Sequence, residues 1–237
     1  MKVLGLLTGR GNNTLKDKNV LDVLGHPVLY YPANAAAKCD LFDDLYCSSD
    51  GEKILMEASK CGFGKIKRPP ELALSNSQHI DCILHAINYL EEKYNKNYDV
   101  VVVLLANNVT IKSSWLKDCI EIMKQGNYSS VIPAIKDNDH HPFRAKKLNE
   151  EGCLVSYEIP NQSSNSTNRQ DLPENYFLAH NFWVLDINTL KNREYGDGPW
   201  NFMGKRVKPY VINESIDIHD KLDLIKAAEW IKENYDD

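Results

Sequence analysis

The 237-residue sequence lacks the features of several large protein classes. It has no excess of positive charge: its formal net charge of -5 argues against a protein that binds the nucleic-acid backbone. No apolar run approaches the length that crosses a bilayer. The apolar start, residues 2–7, reaches Thr8-Gly9-Arg10 too soon to be the core of a signal peptide. We therefore expect a cytoplasmic protein whose partners are neither nucleic acids nor membranes.

Paired cysteines are also absent. Six cysteines are scattered along the chain without a single C-x-x-C pair. A zinc site or a disulfide framework is the less favoured interpretation, and reduced thiols in a cytoplasm are the simpler one.

Apolar runs that alternate with helical patterns organise the sequence. Residues 99–105, DVVVVLL, predict a central parallel strand covered on both faces. Residues 52–60 predict a helix, and Gly62 follows where a left-handed C-cap favours glycine. The other predicted strands are 2–7, 45–48, 129–135, 176–185 and 208–212. The other predicted helices are 28–37, 80–94, 114–125 and 220–235.

This alternation predicts an α/β fold with a doubly wound, mostly parallel sheet. No linker divides the chain, so residues 1–237 form a single predicted domain. The polar stretch 161–168 predicts a loop or a lid. We place a small lid or dimerisation extension around residues 140–210, with the aromatic and glycine-rich stretch 195–202 as a candidate interface arm.

The loop at residues 8–19 is the first candidate site, because ligands bind beyond the carboxyl ends of strands in open α/β sheets. It has neither the G-x-x-x-x-G-K-[ST] nor the G-x-G-x-x-G motif. Two glycines would let the backbone approach a ligand, and Arg10, Lys16 and Lys18 supply charge suited to a triphosphate. The alternative interpretation is a solvated basic loop.

Three further loops carry candidate residues. Ala106-Asn107-Asn108 follows the central predicted strand and could form a substrate wall or an ordinary turn. His140 and His141 are adjacent, so they point apart and favour a structural histidine over a shared metal ion. Alternation would put Asp217 and His219 on one face near the end of a strand. Asp217 could then hold a triphosphate-bound Mg²⁺, and Asp220 would cap the last helix.

Six segments in chain order resemble the acylneuraminate cytidylyltransferase family, which makes CMP–sialic acid and related CMP–nonulosonic acids. The segments are LLTGRGNNTLKDKNVLDVLGHPVLYYPANAAAK from position 6, YCSSDGEKI from 46, KRPPELA from 67, HHPFRAKKLNEEG from 140, NRQDLPENYF from 168 and ESIDIHDKLDLIKAAEWI from 214. The resemblance implies a Rossmann-like nucleotide-diphospho-sugar transferase architecture. It also implies transfer of CMP from CTP to an acidic sugar, with release of pyrophosphate.

The resemblance further implies roles for individual residues. The predicted catalytic residues are Arg10, Lys18 and Asp217. The predicted nucleotide-binding residues are Gly9, Gly11, Asn13, Asn19 and Arg68. The predicted acceptor-binding residues are Arg144, Arg169, Gln170 and His180. Asp217 and His219 are the predicted metal-binding residues, with Mg²⁺ as the expected ion and Mn²⁺ as the alternative. The expected partners are CTP, an acidic small-molecule acceptor and a second copy of the chain.

The sequence departs from the family pattern at several acceptor and metal positions. Residues 106–110 read ANNVT where the family has Gln-Pro-Thr-Ser-Pro, and the opening loop lacks the family's Ser-Lys-Gly. His180-Asn181 replaces Asn-Gly, and His219 replaces the second aspartate of Asp-x-Asp. Two alternatives therefore stay open: a cytidylyltransferase for a phosphonate or alditol phosphate, and a catalytically silent nucleotide-binding homologue.

Overall fold

A computed structural model describes residues 1–11, 15–157 and 168–235. Its centre is one eight-stranded mixed sheet, with two small two-stranded sheets beside it. The strands are β1 Val3–Thr8, β2 Asp22–Val23, β3 His26–Pro27, β4 Asp44–Ser49, β5 Gly64–Lys67, β6 Val100–Leu105, β7 Ser130–Lys136, β8 Lys146–Leu148, β9 Leu154–Ser156, β10 Tyr176–Leu178, β11 Phe182–Asp186 and β12 Val207–Ile212. The helices are α1 Tyr30–Ala37, α2 Glu52–Lys60, α3 His79–Tyr94, α4 Ser113–Gln125, α5 Ile187–Asn192 and α6 Lys221–Asn234.

Half of the main sheet is parallel, in the order β6-β1-β4-β5. The six residues of β1 are all buried, as are five of the six in β6. Strands buried on both faces need apolar side chains at every position, which explains the unbroken apolar runs seen in the sequence. The predicted doubly wound fold is confirmed, although strand β5 has no equivalent among the predicted strands.

The other half of the sheet corrects one predicted strand. Residues 176–185 form two strands, β10 and β11, and not one. Both run antiparallel to β7, but Val184 lies six positions after Leu178, whereas their partners Val131 and Ala134 are only three positions apart. Three extra residues therefore bulge out between Ala179, whose amide still donates to the Pro133 carbonyl, and Val184. The bulge is fixed by Asn181, which is fully buried and donates from Nδ2 to the hydroxyl of Thr110 at 3.0 Å.

Helices cover both faces of the sheet. The buried cluster on one face takes residues from α1, α2 and α4, and the cluster on the other face takes residues from α3 and α5. A third cluster packs α6 against the small β2–β3 sheet. Gly62 has a φ of +88° just after α2, and the Asp220 side chain caps α6, so both predicted helix ends are confirmed.

The described residues of the predicted extension around 140–210 differ in where they pack. The hairpin β8–β9 stands apart from the main sheet, whereas β10, β11 and α5 belong to the sheet and its covering layer. Residues 161–167 of the predicted lid lie outside the described residues. In the part of the chain that the structure describes, no helix is long and apolar enough to cross a membrane.

Candidate active site

A cavity of about 230 Å³ opens at the carboxyl edge of the parallel half of the sheet. The ends of β1 and β6 contribute Thr8 and Leu105, and Arg68 follows β5. Among the described residues, three basic side chains and no carboxylate line it. The lining is Thr8, Gly9, Arg10, Lys18, Asn19, Arg68, Leu72, Leu74, Ser77, His79, Cys82, Leu105 and Asn107. Such a surface suits a polyanionic ligand.

The glycine loop after β1 forms one rim of the cavity. A Cβ added to Gly9 would lie 3.0 Å from the Cβ of Ala106, so the backbone passes too closely for a larger residue. The Gly11 amide donates to Oδ1 of Asp50 at 2.9 Å. Nη1 of Arg10 donates to the Leu74 carbonyl at 2.8 Å, which holds the guanidinium at the cavity. Asn13 lies outside the described residues.

Asn19 offers the cavity a buried acceptor. Its side chain is 3% exposed, and Nδ2 donates to the Arg10 carbonyl at 3.0 Å. Oδ1 is buried and has no hydrogen-bond partner in the described structure. Leaving a buried acceptor unpaired costs about 1–3 kcal/mol, so this oxygen is a candidate acceptor for a ligand donor.

Arg68 is a buried cation that also lines the cavity. It is 5% exposed, and Nη2 donates to the Ser48 carbonyl at 2.8 Å. A buried guanidinium with a neutral partner favours an anionic or carbonyl-rich ligand. The predicted nucleotide residues Gly9, Asn19 and Arg68 thus line one cavity, and Gly11 lies on its rim.

Lys18 connects the cavity to the segment that precedes α6. Its Nζ donates to the Ile218 carbonyl at 3.0 Å. Burial lowers the pKa of this amine, and the negative charge of Asp217 opposes that shift. The predicted triphosphate lysine and the predicted metal-binding aspartate are therefore neighbours, although 199 positions separate them in the sequence.

Asp217 is held by two side chains. Asn107 donates from Nδ2 to Oδ1, and Nε2 of His219 lies 2.9 Å from Oδ2. Burial raises the pKa of Asp217, and the charges of His219 and Lys18 oppose that rise. The segment is not a strand end as expected: β12 ends at Ile212, and Asp217 forms an isolated bridge with Asn108.

The donor set around Asp217 fits a divalent cation held mainly by a nucleotide. Among the described residues, no group of three or more histidine, cysteine or acidic side chains gathers. Mg²⁺ is usually bound by one or two carboxylates together with phosphate oxygens and water. The partly buried Asp217 carboxylate can serve as such a ligand.

The predicted acceptor residues fall into two groups. Arg169 donates to both carboxylate oxygens of Asp139 at 2.9 and 3.0 Å, and Arg144 donates to the Asp139 carbonyl at 3.3 Å. These two arginines and Gln170 are exposed, and none of them lines the cavity. His180 lies elsewhere, in the bulge, with its ring 5.1 Å from Trp200 and 5.9 Å from Trp183.

Burial lowers the pKa of His180, and the charge of Asp217 opposes that shift. Asn108, which is fully buried, donates to the His180 carbonyl at 2.9 Å and to the Ser215 hydroxyl at 3.0 Å. The residues that depart from the family pattern, Asn107, Asn108 and His180, thus form one network around Asp217.

Sequence reasoning missed a contact within the cavity. Oγ1 of Thr8 lies 2.9 Å from Nε2 of His79, and 71 positions separate the two residues. The location of Thr8 directly after a predicted strand was the one available signal. His79 begins α3 one residue before the predicted helix, so its helical pattern gave no reason to single it out.

Comparisons with known proteins agree with this architecture. A family described as cytidylyltransferase matches residues 10–179. The pseudaminic acid cytidylyltransferase of Campylobacter jejuni is 29% identical over 185 residues, which cover 77% of this chain and 78% of that protein. The N-acylneuraminate cytidylyltransferase of Oncorhynchus mykiss is 22% identical over 213 residues, covering 90% of this chain and 47% of that protein.

Among solved structures, a CMP:2-keto-3-deoxy-manno-octonic acid synthetase complexed with CTP has the same fold. Its TM-score is 0.72 at 11% identity, with 98% of this chain and 99% of that chain covered. The family match spans well over half of the sequence and includes Arg10, Gly11, Lys18, Asn19 and Arg68. The chain belongs to the cytidylyltransferase family.

Proposed function

We propose that this protein transfers CMP from CTP to a hydroxyl group of a nonulosonic acid-type sugar. The acceptor oxygen attacks the α-phosphorus of CTP, and a P–O bond forms to give the CMP-sugar. The bond from the α-phosphorus to the bridging oxygen breaks, pyrophosphate leaves, and the hydroxyl proton passes to solvent.

The unpaired buried oxygen of Asn19 carries the proposal. It accepts hydrogen bonds only, so it complements the exocyclic amine of cytosine and not the carbonyl of uracil at the same position. The cations that line the same cavity, Arg10 and Lys18, suit the triphosphate. Charge neutralisation and positioning then supply the catalysis.

Asp217 is the proposed protein ligand of Mg²⁺, with Mn²⁺ as the alternative ion. The metal would neutralise phosphate charge when bound. Asn107 orients the Asp217 carboxylate. His219 is 70% exposed and interacts with Asp217, so we place it beside the metal water shell and not on the metal.

The acceptor is proposed to bind between His180 and the segment that carries Arg144, Arg169 and Gln170. Guanidinium groups recognise carboxylates, and Nη1 of Arg169 already donates to both carboxylate oxygens of Asp139. A sugar carboxylate would exchange with Asp139 on that guanidinium.

A homodimer and a cytoplasmic location complete the proposal. Leu148 and Leu154 face each other across the β8–β9 hairpin and are 66% and 71% exposed, so a second copy would bury them. All six cysteines are free, which suits a reducing compartment. Sedimentation of the Leu148→Ser, Leu154→Ser variant tests the dimer: we expect a monomer where the wild type sediments as a dimer.

The decisive experiment measures pyrophosphate release from CTP with a panel of acceptors. The panel contains nonulosonic acids, an alditol phosphate and a phosphonate, and each is tested with CTP, UTP and ATP. We expect release with CTP and a nonulosonic acid. Release only with the phosphorylated acceptors would reassign the substrate, and no release with binding of CTP would identify a silent homologue.

A further inference from the structure

His79 stands between the cavity and a rigid aromatic core. Its imidazole lines the cavity, Nε2 lies 2.9 Å from Oγ1 of Thr8, and its ring centroid is 5.2 Å from that of Trp183. Trp183 is 3% exposed, does not line the cavity and packs against Phe202 at 5.8 Å. The imidazole is therefore held from two sides and cannot retreat without disturbing the core.

The same end of the cavity is the one suited to a base. Leu72, Cys82 and Leu105 line the cavity beside His79: Cys82 lies one turn further along α3, its Sγ is 3.2 Å from the Leu72 carbonyl oxygen, and Leu105 pairs with Thr8 in the sheet. The phosphate-binding cations Arg10 and Lys18 belong to the glycine loop and the segment next to it. A nucleotide bound in this orientation points its base toward the wall that His79 completes.

We propose that His79 is a specificity-determining residue that restricts the cavity to single-ring bases. This proposal rests on the proposed nucleotide site. In a purine nucleotide the sugar is attached to a five-membered imidazole ring, and the six-membered ring lies beyond it. A purine base thus extends further from the sugar than a pyrimidine base, by about the width of the five-membered ring. The His79 side chain occupies that depth with a ring of the same size.

The protonation state of His79 agrees with a role as a wall. Burial, together with the nearby charge of Arg68, lowers its pKa to about 4, so the ring is neutral near pH 7. A neutral ring adds no attraction for phosphate, and its effect on the nucleotide is steric. Thr8 fixes the orientation of the ring, which makes Thr8 a positioning residue for this wall.

Calorimetric titration with CTP and ATP tests the proposal on the wild type and three variants. We expect His79→Ala to lower the ratio of CTP to ATP affinity by at least about tenfold, mainly through tighter ATP binding. His79→Gln keeps the bulk and a nitrogen near the Nε2 position, so the preference for CTP should persist. Thr8→Val removes the hydrogen bond and keeps the wall, so its ratio should fall by less than that of His79→Ala.

Two results would overturn the proposal: a folded His79→Ala protein with an unchanged ratio, or a His79→Gln protein that loses the preference as fully as His79→Ala. If His79→Ala does not fold, the wild type is titrated with a cytidine triphosphate analogue that carries a fused five-membered ring. Binding about tenfold weaker than CTP supports the wall, and equal binding refutes it. Failure of the wild type to bind CTP at all would instead refute the proposed nucleotide site.

Discussion

Nζ of Lys18 donates to the carbonyl oxygen of Ile218 at 3.0 Å, and this hydrogen bond joins the first loop of the sheet to the segment before the last helix. It places the amine next to Asp217, whose negative charge favours the protonated lysine. The lysine therefore lines the cavity and at the same time interacts with the Asp217 carboxylate.

Replacement of Lys18 by methionine removes this charge at nearly constant volume. We expect kcat to fall by about 10²–10³-fold, because each preorganised charge contact on a transition state contributes on that order. Lys16→Met is the matched control, since Lys16 is exposed on the same loop and does not line the cavity. Equal losses in the two variants would contradict the role of Lys18.

The Asp217→Asn exchange tests the proposed metal ligand. The amide has the shape of the carboxylate but no charge, so Mg²⁺-dependent pyrophosphate release should be abolished. In His219→Asp, activity with Mg²⁺ should persist or rise. Loss of all activity in His219→Asp, combined with a wild type that works best with Mn²⁺ or Co²⁺, would instead make His219 a direct ligand.

Asn19→Leu should separate stability from binding. The change removes a buried oxygen that has no partner, which offsets the lost hydrogen bond from Nδ2 to Arg10. We expect the free energy of unfolding to change by less than about 1 kcal/mol, while CTP affinity falls about tenfold or more. Urea unfolding and calorimetry measure the two quantities. An unchanged CTP affinity would show that the Asn19 side chain does not recognise the base.

The lowered pKa of His79 predicts that the free energy of unfolding decreases in acid. The pKa of His79 is about 4 in the folded protein, against an ordinary value of 6.5. Between these values the unfolded chain binds more protons, so this contribution to stability is complete above pH 6.5 and is lost as the pH falls toward 4. His79→Gln should flatten the pH dependence of the unfolding free energy in this window. An unchanged slope would contradict a neutral buried ring.

The parallel half of the fold could be predicted from sequence because its signal is local. Each residue of β6 is apolar, since helices cover both faces of the strand, and no distant information is needed to see it. The opening loop could also be predicted, because Gly9, Arg10 and Lys18 follow such a strand directly. The Lys18 and Asn19 positions then carried the resemblance to a known family.

The bulge between β10 and β11 could not be predicted, because it exists only in the registers of these two strands against β7. The sequence 176–185 is apolar throughout most of its length, and a single strand explains it equally well. The contact between Thr8 and His79 has the same origin: it depends on where α3 packs against β1, and no local pattern encodes that placement.

Every residue that lines the cavity lies within the first 107 positions, whereas Asp217 arrives with the segment before the last helix. During synthesis on the ribosome, the residues that line the cavity therefore emerge long before Asp217, the carboxylate proposed to hold the metal. An incomplete chain could present the pocket, but it would lack the group proposed to hold the metal. On the proposed role of Asp217, we expect catalytic competence to be acquired at the end of translation, when the late segment docks on Lys18 and Asn107.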